Sequence, residues 1–136
     1  MKIYLFAYVV ALVVMAGVDF VWLAKMGDAV YRPVLGDMAL PGFRLAPGIA
    51  FYLIYVVGIV YFAVAPALAG GGFVVAARNG AIFGLCAYAT YDLTNQATLK
   101  NWSTTLTAID MAWGTVLTAF SAAVACAVVS AIAGRA

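Results

Sequence analysis

The chain has 136 residues, 68% of them hydrophobic and 9% charged, with a mean hydropathy of +1.10 and a net charge of +2. Soluble domains carry about 25% charged residues, so composition excludes one and makes lipid the natural solvent. The cations are scattered singly, which excludes nucleic acid as a partner, and the absence of histidine removes the commonest general base and most transition-metal sites. No cofactor or resident metal is expected; any metal chemistry would have to be hard-ligand chemistry on aspartates.

A bilayer core needs roughly 20 apolar residues per helix, and the chain accommodates four such spans. The predicted fold is all-α: a single polytopic domain over 1–136, a four-transmembrane-helix bundle with helices over about 2–25, 46–68, 73–99 and 104–133 and a long first interhelical loop. The first run extends well past the 7–15 apolar residues of a signal peptide, through Phe20 and Trp22, and reads as a membrane helix. At about 100° per residue, Tyr8, Leu12, Met15, Asp19, Trp22 and Met26 share one face.

Residues 26–48 contain Pro33, Pro41, Pro47 and four glycines, which argues against one regular helix. Tyr31, Val34, Leu35, Met38 and Phe43 would hold this connection on the bilayer interface or over the helix ends, as passive packing or as a lid. The second span is free of charge, started by Pro47 and stopped by Pro66, with Tyr52 and Tyr55 near its beginning. A Gly70–Gly71–Gly72 turn leads into the third span, where Gly80, Gly84, Tyr88, Tyr91, Asn95 and Thr98 form a stripe with Asp92 at its margin. Gly80 and Gly84 make a GxxxG step for close helix packing. The fourth span places Thr107, Asp110, Gly114, Thr118 and Ser121 on one face, with alanines every four residues beside it, and that polar stripe should face inward. Cys86 and Cys126 read as buried packing thiols rather than a disulfide.

Because successive helices alternate direction, three intramembrane acids, Asp19, Asp92 and Asp110, arrive at one membrane side. With Asn95 and Thr107 for orientation and Trp22, Tyr52, Tyr55, Tyr88, Tyr91 and Trp113 as walls, they would build one polar pocket in half of the bundle, the other half being dry. Lys2, Arg78 and Arg135 lie on the opposite side, and Lys25, Arg32, Arg44 and Lys100 on the pocket side, a split that slightly favours a cytoplasmic pocket.

At Tyr91–Asn95, Ala97–Lys100, Trp102, Asp110 and Trp113–Gly114, and again at Phe51–Gly58 and Asp19–Trp22, the chain resembles a family of small bacterial integral membrane proteins of unassigned function. The resemblance covers nearly the whole chain. It implies a four-helix topology and location in the bacterial cytoplasmic membrane, and it carries no activity, substrate or catalytic residue.

A carboxylate within a span costs at least about 2.5–3.5 kcal/mol on insertion scales, so intramembrane acids suggest function. Three within a few ångströms could not all ionise cheaply and would exchange protons or accept a cation, unless Arg44 and Lys100 neutralised two of them. Transport or binding of a small cationic or amphipathic molecule, or a proton, is the leading reading, in a homodimer because four helices are few. The alternatives are a membrane enzyme using aspartate acid and base on a lipid or isoprenoid, and an accessory subunit presenting GxxxG and the alanine ladder to a partner. Retinal chemistry is excluded because no lysine sits mid-span. The acids could also simply tie helices together, Asp92 through Thr or Tyr hydroxyls and Asp110 through its helix dipole. Asp19, late in its helix, fits that least.

Overall fold

A computed structural model describes residues 2–134; Arg135, counted above among the terminal cations, lies outside the described residues. Helix α1 runs over Lys2–Met26, α2 over Arg32–Leu35, α3 over Leu45–Gly58, α4 over Ala65–Leu68, α5 over Gly72–Thr98 and α6 over Thr104–Ile132. Four helical stretches, 2–38, 45–68, 72–98 and 104–132, are long and apolar enough to cross a membrane. The bundle exposes Leu5, Val13, Phe20, Ile54, Tyr61, Val74, Val116 and Ile132, each more than half accessible, as lipid-facing surface.

The first connection is more ordered than the prolines and glycines suggested. From α1 the chain continues as a wide π-helical turn over Gly27–Tyr31, then α2 and a 3₁₀ turn over Gly36–Met38, so only residues 39–44 are irregular. Pro33 is tolerated because a proline lacks an N–H and its ring crowds the carbonyl four residues back, and the wide turn before it loosens that spacing. The second span repeats the device: a wide turn over Ile59–Val64 ends two residues before Pro66, as the first ends two residues before Pro33. Helix α2 stops at Gly36, whose φ of 53° is a left-handed conformation that suits glycine.

The most extensive contact in the bundle is between α5 and α6. Glycines make it close: a Cβ on Gly80 would stand 2.8 Å from the Thr118 carbonyl, one on Gly84 would meet the Gly114 carbonyl and Thr118, and one on Gly114 would enter the Tyr88 ring. The GxxxG step is therefore consumed within the chain, which removes it as the partner face of an accessory subunit. The adjacent core is dry, built from Ala7, Ala11, Met15, Val56, Ile59, Val64, Ala122, Cys126 and Val129, all at most 1% exposed. Cys126 packs as expected, whereas Cys86 is exposed, because the buried row of α5 is Ala76, Gly80, Gly84 and Asp92 and Cys86 falls outside it.

That row also departs from the Tyr91–Asn95–Thr98 stripe. Polar residues can face lipid when they satisfy themselves: Thr90 donates to the Cys86 carbonyl at 2.7 Å, Thr98 to the Thr94 carbonyl at 2.8 Å, and Thr94 to the Thr90 carbonyl. The hydroxyl ladder needs no pocket. The register is therefore free to turn Asp92, fully buried, toward α6.

Candidate functional site

The acids end up in three different environments. Asp19, 6% exposed on α1, accepts from the Tyr52 hydroxyl of α3 at 2.5 Å and from Trp113 Nε1 of α6 at 2.8 Å. The helical path continues beyond Met26, so Asp19 is several turns from a helix end and escapes the unfavourable terminal dipole, which acts over about one turn. This carboxylate, which fitted a tying role least on sequence grounds, ties three spans together.

The Trp113 ring lies flat on Trp22, with centroids 4.0 Å apart and planes 6° off parallel. Trp22 Nε1 donates to the Tyr31 hydroxyl at 3.1 Å, and Tyr31 donates to Asp110 Oδ1. A relay of hydrogen bonds and one aromatic stack thus runs from Tyr52 through Asp19, Trp113, Trp22 and Tyr31 to Asp110. Among the described residues no group of three His, Cys, Asp or Glu side chains is close enough to hold a metal ion.

Asp92 and Asp110 do meet. Asp92 is 0% exposed, and among the described residues neither of its carboxylate oxygens receives a backbone N–H or a hydroxyl, amide or indole proton. No Thr or Tyr hydroxyl reaches it, contrary to the tying role considered above. Its polar neighbour is the Asp110 carboxyl, within reach of a shared proton. The alternative of neutralisation by Arg44 and Lys100 is not met either: among the described residues the one ion pair is Arg32 Nε to Asp28 Oδ1 at 3.1 Å, on the surface. Arg44 stands at the start of α3 and Lys100 is turned outward between α5 and α6.

One pocket was expected, and the structure divides the candidate residues among separate clefts, two of which carry an acid. A cleft of about 430 Å³ is lined by Phe51, Tyr55, Ala87, Tyr88, Tyr91 and Asp110. Another, of about 660 Å³, opens between α1 and α3 and carries Asp19, Tyr52 and Arg44. The splitting has a simple cause: the backbone of α3 comes close to α1 but hardly to α5 or α6, which it meets through side chains, Tyr55 stacking on Phe83 of α5 and reaching α6 by a hydrogen bond. Thr118 gives its one proton to the Gly114 carbonyl at 2.6 Å, so in the 2.9 Å bond between Tyr55 and Thr118 the phenol is the donor.

Of the remaining candidates, Tyr91 is 57% exposed at the first cleft and meets Trp102 edge-on. Thr107 accepts from Trp102 Nε1 at 2.9 Å, and Ser103 caps α6 by accepting from the Leu106 N–H, so Thr107 serves the α5–α6 turn. Asn95 lines neither cleft. The residue that sequence reasoning misplaced is Tyr31, read as interfacial packing. Its signal was the spacing of Pro33 after a glycine-containing turn, which allows helix to continue where a break was expected.

No curated protein and no solved structure matches the chain. A family described as predicted membrane protein (DUF2177) matches residues 4–127, in keeping with four spans that leave most of their surface to lipid. The chain is an integral membrane protein and belongs to the DUF2177 family.

Proposed function

We propose that the protein binds a small amphipathic cation at Asp110 and carries it across the membrane in exchange for the proton shared by Asp92 and Asp110. The observation that carries this reading is the bare Asp92 carboxylate: two buried oxygens without a donor, beside a second acid and without a neighbouring cation among the described residues. Such a group is expensive unless a proton or cation satisfies it. The cleft at Asp110 has the composition a cation would select, three tyrosines and Phe51 around one carboxylate, since aromatic faces attract quaternary and protonated amines. We place the protein in a bacterial cytoplasmic membrane, working as a homodimer because four helices are few for a transporter.

Proteoliposomes with an acidic interior provide the test, with radiolabelled tetraethylammonium as the probe. Wild type should accumulate it only while the pH gradient lasts, and Asp110→Asn should fall to the protein-free rate. Uptake that ignores the gradient, or survives in Asp110→Asn, would end the carrier reading.

A second reading rests on the inequality of the two acids. Asp92 is sealed and Asp110 opens on a cleft, an arrangement that can divide acid and base roles on a lipid or isoprenoid substrate. Turnover of a lipid from a membrane extract, lost in Asp110→Asn while tetraethylammonium stays outside, would decide for this reading.

A further inference from the structure

We infer that the groove between α1 and the start of α3 holds one acyl chain of an anionic phospholipid, whose phosphate rests on Arg44. The site is separate from the cleft at Asp110 and requires the opposite ligand charge. Its walls are apolar, with Phe20 and Leu23 from α1 facing Phe43 and Ile49. Phe20 and Phe43 are 73% and 71% exposed, so the groove opens sideways, where in a bilayer the neighbouring molecule is lipid. The second connected feature is charge. Among the described residues Arg44 lines the rim with no carboxylate within 4 Å and no side-chain hydrogen bond, whereas nearby Arg32 is committed to Asp28 and to the Pro41 carbonyl at 3.1 Å. A guanidinium left free at a membrane interface presents a fork that matches phosphate.

Depth fixes the polarity of the occupant. Arg44 precedes Tyr52 by eight residues, about 12 Å along a helix, and Tyr52 marks the level of Asp19. Asp19 is nearly sealed and both its oxygens already accept a bond, so the inner end offers little to a second polar group. A ligand anionic at the rim and apolar below it fits; a soluble phosphate or a zwitterion with a deep ammonium does not. Gly48 marks open space on the α3 wall, because a Cβ added there meets nothing within 4 Å.

Native mass spectrometry of the purified full chain, exposed to mixed micelles of phosphatidylglycerol and phosphatidylcholine with identical acyl chains, reads the site directly. Wild type should retain one phosphatidylglycerol about fivefold in preference to phosphatidylcholine, the scale of one arginine at an anionic surface. Arg44→Gln should retain both lipids equally. Gly48→Leu, whose Cβ meets no protein atom within 4 Å and whose longer side chain would occupy the groove, should retain neither while its helical circular dichroism matches wild type. Equal retention by wild type, a preference that survives Arg44→Gln, or undiminished retention in Gly48→Leu would each overturn the assignment. Tetraethylammonium uptake by Arg44→Gln should equal wild type, which separates a failure here from a failure of the cation reading.

Discussion

The two halves of this bundle solve the same problem by different means. In the half containing the wide turn of the second span, small residues let helices touch: Gly80 and Gly84 admit the backbone of α6, and Ala7, Ala11, Ala122 and Ala125 fill the seams. In the half that receives the first connection, large side chains with one polar tip hold helices apart and bridge the distance, as Tyr55 does to Thr118 and Tyr52 to Asp19. The difference follows from the solvent. Lipid provides no hydrophobic drive for helices to associate, so association depends on dispersion at close range or on hydrogen bonds at longer range, and only the second leaves clefts.

The sharpest way to break the contrast is to enlarge a residue in the tight half. Gly84→Leu would drive a side chain into the Gly114 carbonyl and Thr118, which cannot move without moving α6, and should lower stability by about 3 kcal/mol. Thermal unfolding in detergent would read this as a large fall in Tm; a wild-type Tm would mean that α5 and α6 do not pack this closely.

In the open half the largest loss should come from Asp19→Asn. The amide keeps one acceptor but turns an N–H toward Tyr52 or Trp113, and the cost should be about 2 kcal/mol. Tyr31→Phe deletes the hydroxyl between Trp22 and Asp110 and should cost about 1 kcal/mol. Its specific mark is faster hydrogen exchange over residues 27–38, with the rest of the chain unaffected. Asp92→Asn should cost nothing or stabilise, since its amide can replace the shared proton in donating to Asp110, no other N–H or O–H is lost, and a buried bare carboxylate is itself unfavourable. The pair Asp19→Asn and Asp92→Asn therefore sharpens the comparison most. If both lose stability alike, the acids are structural ties and the cation reading fails; if only Asp19→Asn loses, a tie and a chemically available acid share one bundle.

Much of this was legible in the chain. Length and hydropathy required four spans, the alternating direction of helices brought the three acids to one side, and the small residues at Gly80, Gly84 and Gly114 announced close approach. Periodicity placed Met15 and Asp19 on the buried face of α1 and Thr107, Gly114, Thr118 and Ser121 on that of α6. These properties follow from local repeats and from the thickness of a bilayer, and neither depends on knowing which helix neighbours which.

Tertiary structure decided the rest, because hydrogen-bond partners are set by distance across the bundle and not by spacing along a helix. Nothing in the periodicity of α1 says that the bonds of Asp19 come from Tyr52 and Trp113, or that Tyr31, at the end of the wide turn after α1, reaches Asp110. Three acids at one membrane side looked like a cluster; Asp19 instead commits its oxygens to Tyr52 and Trp113, while Asp92 and Asp110 meet each other. The same residue type thus became a satisfied tie at Asp19 and, in the Asp92–Asp110 pair, one acid with a tyrosine donor and one without, according to which donors the neighbouring helices happened to present.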